Sequence, residues 1–275
     1  MKPKILLIPD YPGWAWDIKS NNIIKNLKSK YDFFKIYSKN NDKIEAKEYD
    51  GIFSFSWLNT LNLKEKTLKN KTASGISSHL TWPNLDKKTI EYEVNKFKVF
   101  ITNSPFLYDI FKNYRDDLIY APNGVDTTLF YPKNKDNPVF TVGWVGNKKV
   151  KKKHFYDIIL PLKNKIKDVN FIFATDETKI PNNKMPDFYN SCDCLIIASE
   201  MDATPNPALE AASCGKPIIS NVIGNMGELI INGYNGFLVD LNVEDYIKKI
   251  KILRDDIQLC KEMGINMRNI IKKEW

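Results

Sequence analysis

Short apolar runs rich in β-branched residues alternate along this 275-residue chain with segments of helical periodicity. A parallel pair of strands needs a long connection, usually a helix, so this alternation predicts parallel sheets with crossover helices. The predicted strands cover residues 4–9, 33–37, 51–56, 98–103, 118–121, 139–145, 169–174, 193–199, 217–221 and 236–239. Helices are predicted between them, including residues 18–30, 105–114, 155–167 and 243–254.

A polar segment at residues 130–138 interrupts this alternation. It contains Pro132 and Pro138 and precedes a new strand, a pattern typical of a linker. We therefore predict an α/β fold with an N-terminal Rossmann-like domain over residues 1–134 and a C-terminal one over residues 135–275. Their parallel sheets are expected to face each other across a cleft, where ligands of such sheets bind.

The composition is that of a globular protein, with 43% hydrophobic and 27% charged residues. Apolar runs stay well short of the about 20 residues that a membrane-spanning helix needs. The first residues form a predicted strand rather than a signal peptide, so a cytoplasmic location is expected. No spacing of cysteine and histidine fits a zinc site, and reduced, buried thiols are expected at all four cysteines: Cys192, Cys194, Cys214 and Cys260.

The chain carries a formal net charge of +8, and most of the positive excess lies in residues 1–140. A basic N-terminal half can attract an anionic lipid surface, which would place the protein at the periphery of a membrane, or a nucleic acid or acidic acceptor. The alternative, of equal weight, is that lysine is simply abundant in this chain and has no role in binding.

The segment at residues 199–217 gives the strongest indication of a ligand site. A predicted strand ends at Ser199, and a loop leads into a short helix with Asn206 as the predicted N-cap and Pro207 as its first residue. The unpaired N–H groups and the dipole of such a helix attract an anion. Glu210 lies one position past the capping-box partner site, so its carboxylate is predicted to accept a ligand, such as a pair of ribose hydroxyls. The alternative is a surface glutamate in an ordinary crossover helix.

This segment resembles the signature of glycosyltransferase family 4, also called group 1, whose fold is GT-B. That signature has an acidic residue, seven further residues, Glu-Ala, small residues, Gly, a variable position and Pro. Asp202, Glu210 and Pro217 occupy the acidic, Glu and Pro positions here. The resemblance covers residues 118–240 well and continues through residues 122–126, 130–132, 218–220, 227–230 and 232–239.

The resemblance implies a retaining, metal-independent glycosyltransferase that moves a sugar from a UDP- or GDP-sugar to an acceptor hydroxyl without a further cofactor. By position, Asp202, Glu210 and Lys153 would be the catalytic residues, and Glu210 would hold the nucleotide ribose. Asp202 would lie near the donor sugar and diphosphate, although the family usually has Glu there. The loop backbone would cradle the sugar and phosphate through four residues: Ala203, Thr204, Pro205 and Asn206. The acceptor, a glycan, lipid or nucleic acid, is not specified by any motif.

The family places an Arg after the first strand of the second domain and a Lys a few residues later. Trp144 stands where that Arg is expected, and Gly146 and Asn147 follow as predicted donor-binding residues. Lys153 begins a Lys-His-Phe run similar to the family's Lys-Gly-Phe, so it is the predicted catalytic cation, with Lys148 as the second. The alternative is a solvated basic loop, and lysine lacks the bidentate fork of arginine.

Two predicted donor-binding sites lie in the N-terminal half. After the first strand the family often has a Gly-Gly turn, and this chain has Gly13 followed by Trp14, whose ring suits stacking on a sugar. His79 lies where a family histidine contacts the donor sugar in some members. A core role for the tryptophan and a capping or core role for the histidine are the alternatives.

Two departures from the family pattern leave other functions open. Trp144 for Arg and Asp202 for Glu favour a GT-B binding module without catalysis, for nucleic acid or an anionic membrane surface. The signatures of a GT-B epimerase or phosphorylase are not visible. Family members are usually longer and end in a helix that returns to the N-terminal domain, so a chain ending at Trp275 is expected to be trimmed or to close less tightly.

Overall fold

The computed structural model describes residues 1–40, 44–58, 63–78, 82–133 and 136–275. The chain divides into two compact units, Met1–Ala121 and Pro122–Trp275. The predicted boundary at residues 134 and 135 lies outside the described residues, and the units divide earlier in the chain. The reason is that residues before this boundary bind the second unit: Ser213 Oγ donates to the Phe130 carbonyl at 2.6 Å, and Asn190 Nδ2 to the Tyr131 carbonyl at 3.0 Å.

The described part of the first unit contains a sheet of six parallel strands in the order β2-β1-β3-β4-β5-β6. The strands are β1 (Lys4–Ile8), β2 (Asp32–Lys35), β3 (Gly51–Ser54), β4 (Thr72–Ile76), β5 (Val99–Thr102) and β6 (Ile119–Tyr120). The connecting helices include α1 (Ala15–Leu27), α2 (Glu65–Lys71), α3 (Lys87–Asn95) and α4 (Pro105–Phe111). Short 3-10 turns cover Ser38–Asn40 and Ala46–Glu48.

Strand β4 is absent from the predictions, although it lies in the interior of this sheet. Its sequence, Thr-Ala-Ser-Gly-Ile, contains a single aliphatic residue of high β-propensity and therefore carries almost no strand pattern. The close approach of β5 makes a small residue necessary, because a Cβ at Gly75 would lie 2.5 Å from the Ile101 carbonyl oxygen. Packing between neighbouring strands, rather than local propensity, accounts for this strand.

The described part of the second unit contains a sheet of five parallel strands in the order β11-β10-β9-β7-β8. The strands are β7 (Thr141–Val145), β8 (Asn170–Ala174), β9 (Cys194–Ile197), β10 (Ile218–Asn221) and β11 (Gly236–Val239). The helices are α5 (Leu160–Lys165), α6 (Met185–Asn190), α7 (Asn206–Ser213), α8 (Met226–Leu229), α9 (Val243–Asp255) and α10 (Ile257–Glu274). Short 3-10 turns cover Lys151–Lys153 and Asn182–Lys184, and a π-helical turn covers Phe155–Ile159.

All ten predicted strands are present, with bounds that differ by a few residues. Among the predicted helices, 155–167 differs most, since it begins as the π-helical turn and becomes α-helical only at Leu160. Pro161 lies in the first turn of α5, where its missing N–H costs no α-helical hydrogen bond. The prediction of unoxidised, buried cysteines is confirmed for all four.

The sheet of the second unit is covered on both faces. On one face, Trp144 of β7 packs in a core with Phe155 and Tyr246, and on the other face the sheet packs against Tyr189 and Leu209. Since β10, β9 and β7 are neighbours and parallel, the loops that follow them leave the same edge of the sheet. Residues 146–154 follow β7, residues 198–205 follow β9 and residues 222–225 follow β10. Across the described residues, no helix has the length and apolar character needed to cross a membrane.

Candidate active site

The loop after β9 ends at the start of α7, one residue before the predicted position. Pro205 is the N-cap residue and Asn206 the first helical residue, so the prediction that Asn206 caps this helix is wrong. The Asn206 side chain instead accepts a hydrogen bond from Asn123 Nδ2 at 2.9 Å. Pro207 has no N–H and the Ala208 N–H donates to the Pro205 carbonyl, which leaves this helix end with fewer donors for an anion than expected.

Glu210 lies in the middle of α7 and is partly exposed. The hydroxyl of the buried Tyr189, on α6, donates to its Oε2 at 2.6 Å. Burial raises the pKa of Glu210 from 4.5 to about 7, and the hydrogen bond from Tyr189 opposes this rise. The carboxyl group is thus held on one side by the protein, and it gains or loses its proton near neutral pH.

Asp202 and Lys153, both predicted to be catalytic, form an ion pair in which Lys153 Nζ lies 2.5 Å from Asp202 Oδ2. Both side chains are only partly exposed, at 27% for Lys153 and 19% for Asp202. A second bond joins the same two loops, because the Glu200 N–H donates to the Lys152 carbonyl at 2.9 Å. The fold therefore brings Lys153 of the basic run to Asp202, while Lys152 contacts the preceding residues Glu200 and Met201.

His154 follows Lys153 in the left-handed conformation, with φ of 46°. Side chains other than glycine pay a strain cost there, and the similar Lys-Gly-Phe run of family 4 has Gly at this position. The turn redirects the chain so that Lys153 lies at the loop while Phe155 enters the core. A π-helical turn follows at once, a feature that often accompanies functional sites.

Lys148 is placed away from this pair. Its ammonium lies 2.6 Å from Glu177 Oε2, in the segment after β8, and 5.5 Å from the centre of the Phe155 ring. Asn147 is exposed, and its side chain accepts a hydrogen bond from the Lys149 N–H at 2.8 Å. The structure thus brings Lys153 to Asp202 but joins Lys148 to another loop.

Trp144 belongs to the core and not to the loop. It lies within β7, is 2% exposed, and packs against Phe155 with ring centres 5.0 Å apart. The correspondence of Trp144 with the family's Arg stays a prediction, and the first residues beyond the strand are Gly146 and Asn147. Gly146 covers the Trp144 ring so closely that a Cβ there would lie 2.8 Å from it.

The loop after β10 was missed as part of the site. Gly224, with φ of 54°, packs on the loop after β9, since a Cβ at Gly224 would lie 2.3 Å from the Ala203 carbonyl oxygen and 2.9 Å from that of Asp202. The next residue, Asn225, is fully buried, and neither polar atom of its side chain has a hydrogen-bond partner in the described ranges. In the sequence, the Gly224-Asn225 pair that follows a predicted strand could have indicated this loop.

The predicted residues of the first unit lie in and beyond its loop after β1. Gly13 adopts φ of 77°, and its N–H donates to Asp17 Oδ2 at 2.8 Å. Trp14 is 62% exposed and its ring centre lies 5.1 Å from that of Tyr11. His79 lies outside the described residues. Gly13, Trp14 and His79 therefore stay predictions as donor-binding residues.

A sequence model of the family described as Glycosyl transferases group 1 matches residues 133–270, half of the chain. The chain belongs to this family. The match contains every site residue discussed in the second unit apart from Asn123, including Lys153, Asp202, Glu210 and Gly224.

Similar proteins agree with this membership and with the fold. An uncharacterised glycosyltransferase of Methanocaldococcus jannaschii is 26% identical over 204 residues, which are 65% of this chain and 56% of that protein. This group 1 family member thus aligns with little more than half of that relative.

The sucrose-phosphate synthase structure from Thermosynechococcus elongatus superposes with a TM-score of 0.73 at 14% identity, covering 98% of this chain and 94% of the other. The structure of Anabaena HepE in complex with UDP gives 0.71 at 16% identity, covering 99% and 95%. The fold of the group 1 family member is GT-B, as predicted.

Proposed function

We propose that this chain is a glycosyltransferase whose second unit, Pro122–Trp275, binds a nucleotide sugar. The observation that carries the proposal is the ion pair between Lys153 and Asp202. It joins the basic loop after β7 to the motif that continues into Glu210. A cation for phosphate and a carboxylate for ribose thereby belong to adjoining segments at one edge of the sheet.

Lys153 is the proposed contact to the donor diphosphate. An ammonium group has three donors, and Asp202 accepts from one of them, so two remain for phosphate oxygens. When the bond between sugar and phosphate breaks, the leaving diphosphate gains negative charge, and a fixed cation at that point stabilises the transition state. The N-terminus of α7 has few free N–H donors. We therefore propose that Lys153, rather than this helix end, makes the larger contribution to stabilising the charge of the diphosphate.

Asp202 has two proposed roles. It holds the Lys153 side chain in place through the 2.5 Å pair, which lowers the entropy lost when phosphate binds. It also lies at the start of the loop through Ala203, Thr204 and Pro205 into Asn206, whose backbone we propose to border the donor sugar. An aspartate is one methylene shorter than the usual glutamate, and the pairing with Lys153 fits that shorter reach.

The proposed reaction retains the configuration of the sugar, in line with the resemblance to family 4. The acceptor hydroxyl oxygen forms the new bond to the anomeric carbon on the face from which the nucleoside diphosphate leaves. The leaving phosphate oxygen takes the hydroxyl proton. Lys153 supplies the positive charge in this scheme, so it proceeds without a metal ion. The UDP in the HepE complex makes a uridine donor the first choice, with a GDP-sugar as the second.

The proposal is tested by titrating the protein with UDP-glucose and GDP-glucose and by measuring sugar release or transfer. We expect one of them to bind with micromolar to millimolar affinity and Glu210→Ala to weaken this binding at least tenfold. Glu244→Ala is the matched control, since Glu244 is a glutamate on α9 paired with Lys165 at the surface. Absence of binding by both, together with nucleic-acid binding that weakens steeply with salt, would support a binding module instead.

A further inference from the structure

Tyr189 is the largest buried side chain in contact with the proposed donor site, and no sequence motif singled it out. It lies on α6 and has no exposed surface. Its ring packs against Phe130, with ring centres 6.0 Å apart, and against Phe188 at 5.6 Å. An entirely apolar environment would suit phenylalanine equally well, so the hydroxyl needs a separate explanation.

The hydroxyl donates a hydrogen bond to Oε2 of Glu210 at 2.6 Å. Two effects raise the pKa of Tyr189 well above its usual value: burial, which is the larger, and the nearby Glu210 carboxylate. The hydroxyl therefore stays protonated and acts as the donor. A buried hydroxyl without a partner would cost free energy, and the fold satisfies it with the carboxylate proposed to bind ribose. The bond spans two helices, α6 and α7.

We propose that Tyr189 is a positioning residue for the nucleotide. Its hydroxyl holds Oε2 of Glu210, so that Oε1 of the charged carboxylate can accept hydrogen bonds from the ribose hydroxyls. This inference rests on the proposed function. Tyr189 does not touch the nucleotide in this scheme; it acts through Glu210. Its two contributions are the direction of the carboxylate and the charge state of that group near neutral pH.

The charge state follows from two opposing effects. Burial disfavours the carboxylate and raises the pKa of Glu210, while the hydrogen bond from Tyr189 favours the carboxylate and lowers it. The other titratable groups that act on this pair in the described chain are the buried thiols of Cys192 and Cys214, and burial raises the pKa of Cys214 to about 12. Lys133, Lys216 and Arg268 act on Cys214 rather than on Glu210.

Replacement of Tyr189 by phenylalanine keeps the ring but removes the hydrogen bond that lowers the pKa of Glu210. The pKa of Glu210 is then expected to rise by about one pH unit. Because ribose binding needs the charged carboxylate, nucleotide affinity should fall at pH 7 and recover at higher pH. A residue that serves only to fill the core would change the affinity by the same factor at every pH.

The experiment measures the dissociation constant of UDP-glucose by calorimetry from pH 5.5 to 9, with GDP-glucose as the second probe. The diphosphate of a sugar nucleotide is a diester without an ionisation near neutrality. The N–H of uracil or guanine begins to ionise at the upper end of this pH range, but equally for every variant, so its effect cancels when variants are compared at the same pH. Wild-type affinity should increase with pH through a midpoint near the Glu210 pKa of about 7. In Tyr189→Phe this midpoint should move up by about one unit, with affinity about five- to tenfold weaker at pH 7. Most of this loss should be recovered at pH 9, where only the lost direction of the carboxylate still weakens binding.

Two further variants make the result specific. Glu210→Gln should bind weakly and without this pH dependence, which assigns the midpoint to Glu210. Tyr246→Phe removes the hydroxyl of another fully buried tyrosine, which donates to the Ile197 carbonyl at 2.6 Å, and should leave the midpoint unchanged. Circular dichroism of each variant confirms folding.

The outcomes separate the two proposals. If the wild-type protein binds neither probe at any pH, the proposed function fails. If it binds with a midpoint that Tyr189→Phe does not move, or if Tyr246→Phe moves the midpoint equally, the positioning role is wrong and the donor site stands. A midpoint that shifts upward in Tyr189→Phe alone supports the role.

Discussion

Lys153 Nζ and Asp202 Oδ2 lie 2.5 Å apart, although the two residues are separated by 49 positions in the chain. The strand order brings them together, because β7 and β9 are neighbours in the sheet and both loops leave at their carboxyl ends. The left-handed turn at His154 places the lysine at this position rather than in the following helix. This pair connects the basic loop to the proposed donor site, and its loss should affect catalysis more than folding.

Lys153→Ala is expected to lower the rate of sugar transfer or donor hydrolysis by about 100-fold, since it removes one cation from the developing charge. The pair is partly exposed, so the free energy of unfolding should fall by only about 1 kcal/mol or less. Steady-state kinetics and urea unfolding measure the two effects. Lys165→Ala, which breaks a 2.5 Å surface pair with Glu244, is the control and should leave the rate unchanged. Equal rates for both variants would exclude Lys153 from catalysis.

Glu210→Gln is expected to stabilise the protein above pH 7 while it weakens donor binding. The pKa of Glu210 is raised from 4.5 to about 7 in the folded chain by burial. Between these values the unfolded chain releases the proton and the folded chain keeps it, so the free energy of unfolding falls as pH rises through this window. The full cost, about 3 kcal/mol, is reached above pH 7.

Urea unfolding at pH 5 and pH 8 tests this prediction. The wild-type protein should lose more stability between the two pH values than Glu210→Gln does. A variant with the same loss as wild type would show that another group titrates. If Glu210→Gln is more stable than the wild-type protein but binds the donor more weakly, Glu210 serves binding at the expense of stability.

Gly224→Ala is expected to disturb the loop that carries Asp202 and Ala203. The added Cβ would lie 2.3 Å from the Ala203 carbonyl oxygen, so the backbone of one loop must move. Gly233→Ala is the matched control, because Gly233 also has a positive φ, of 81°, but its Cβ would meet no atom within 4 Å. The control should lose about 1 kcal/mol from backbone strain alone.

For Gly224→Ala we expect a loss of about 2–4 kcal/mol together with at least tenfold weaker sugar-nucleotide binding. Thermal unfolding and calorimetric titration of both variants give the comparison. Equal losses of stability in the two variants, with binding intact in both, would show that Gly224 does not support the site.

Trp144→Arg and Asn147→Arg test which position adjoins the proposed phosphate site. Trp144 is buried in the core, so an arginine there should cost more than 3 kcal/mol or prevent folding. Asn147 is exposed beyond the strand, so an arginine there should be tolerated and should strengthen UDP-glucose binding a few-fold through its bidentate fork. A tolerated Trp144→Arg with tighter binding would reverse this assignment.

Much of the fold was accessible to prediction because strands such as β7, β9 and β10 are buried on both faces and have a distinctive apolar composition. The ten predicted strands have apolar, β-branched sequences, whereas β4 has small and polar residues and was missed. The proposed donor segment was also recognisable, since the spacing from Asp202 through Glu210 to Pro217 is a local pattern. The cap of α7 was assigned one residue late, because propensity does not distinguish Asn206 as a cap from Asn206 as the first helical residue.

The order of the helices and of every strand except β4, the segment that carries Glu210 and the basic run before α5 follow from the sequence alone. Only the tertiary structure decided which lysine of that run meets Asp202, that Trp144 belongs to the core, that Gly224 supports the loop, and that Tyr189 holds Glu210. The physical reason is that periodicity and spacing report the preferences of neighbouring residues. A hydrogen bond or ion pair between residues 21 or 49 positions apart depends on strand order and on the direction of each loop.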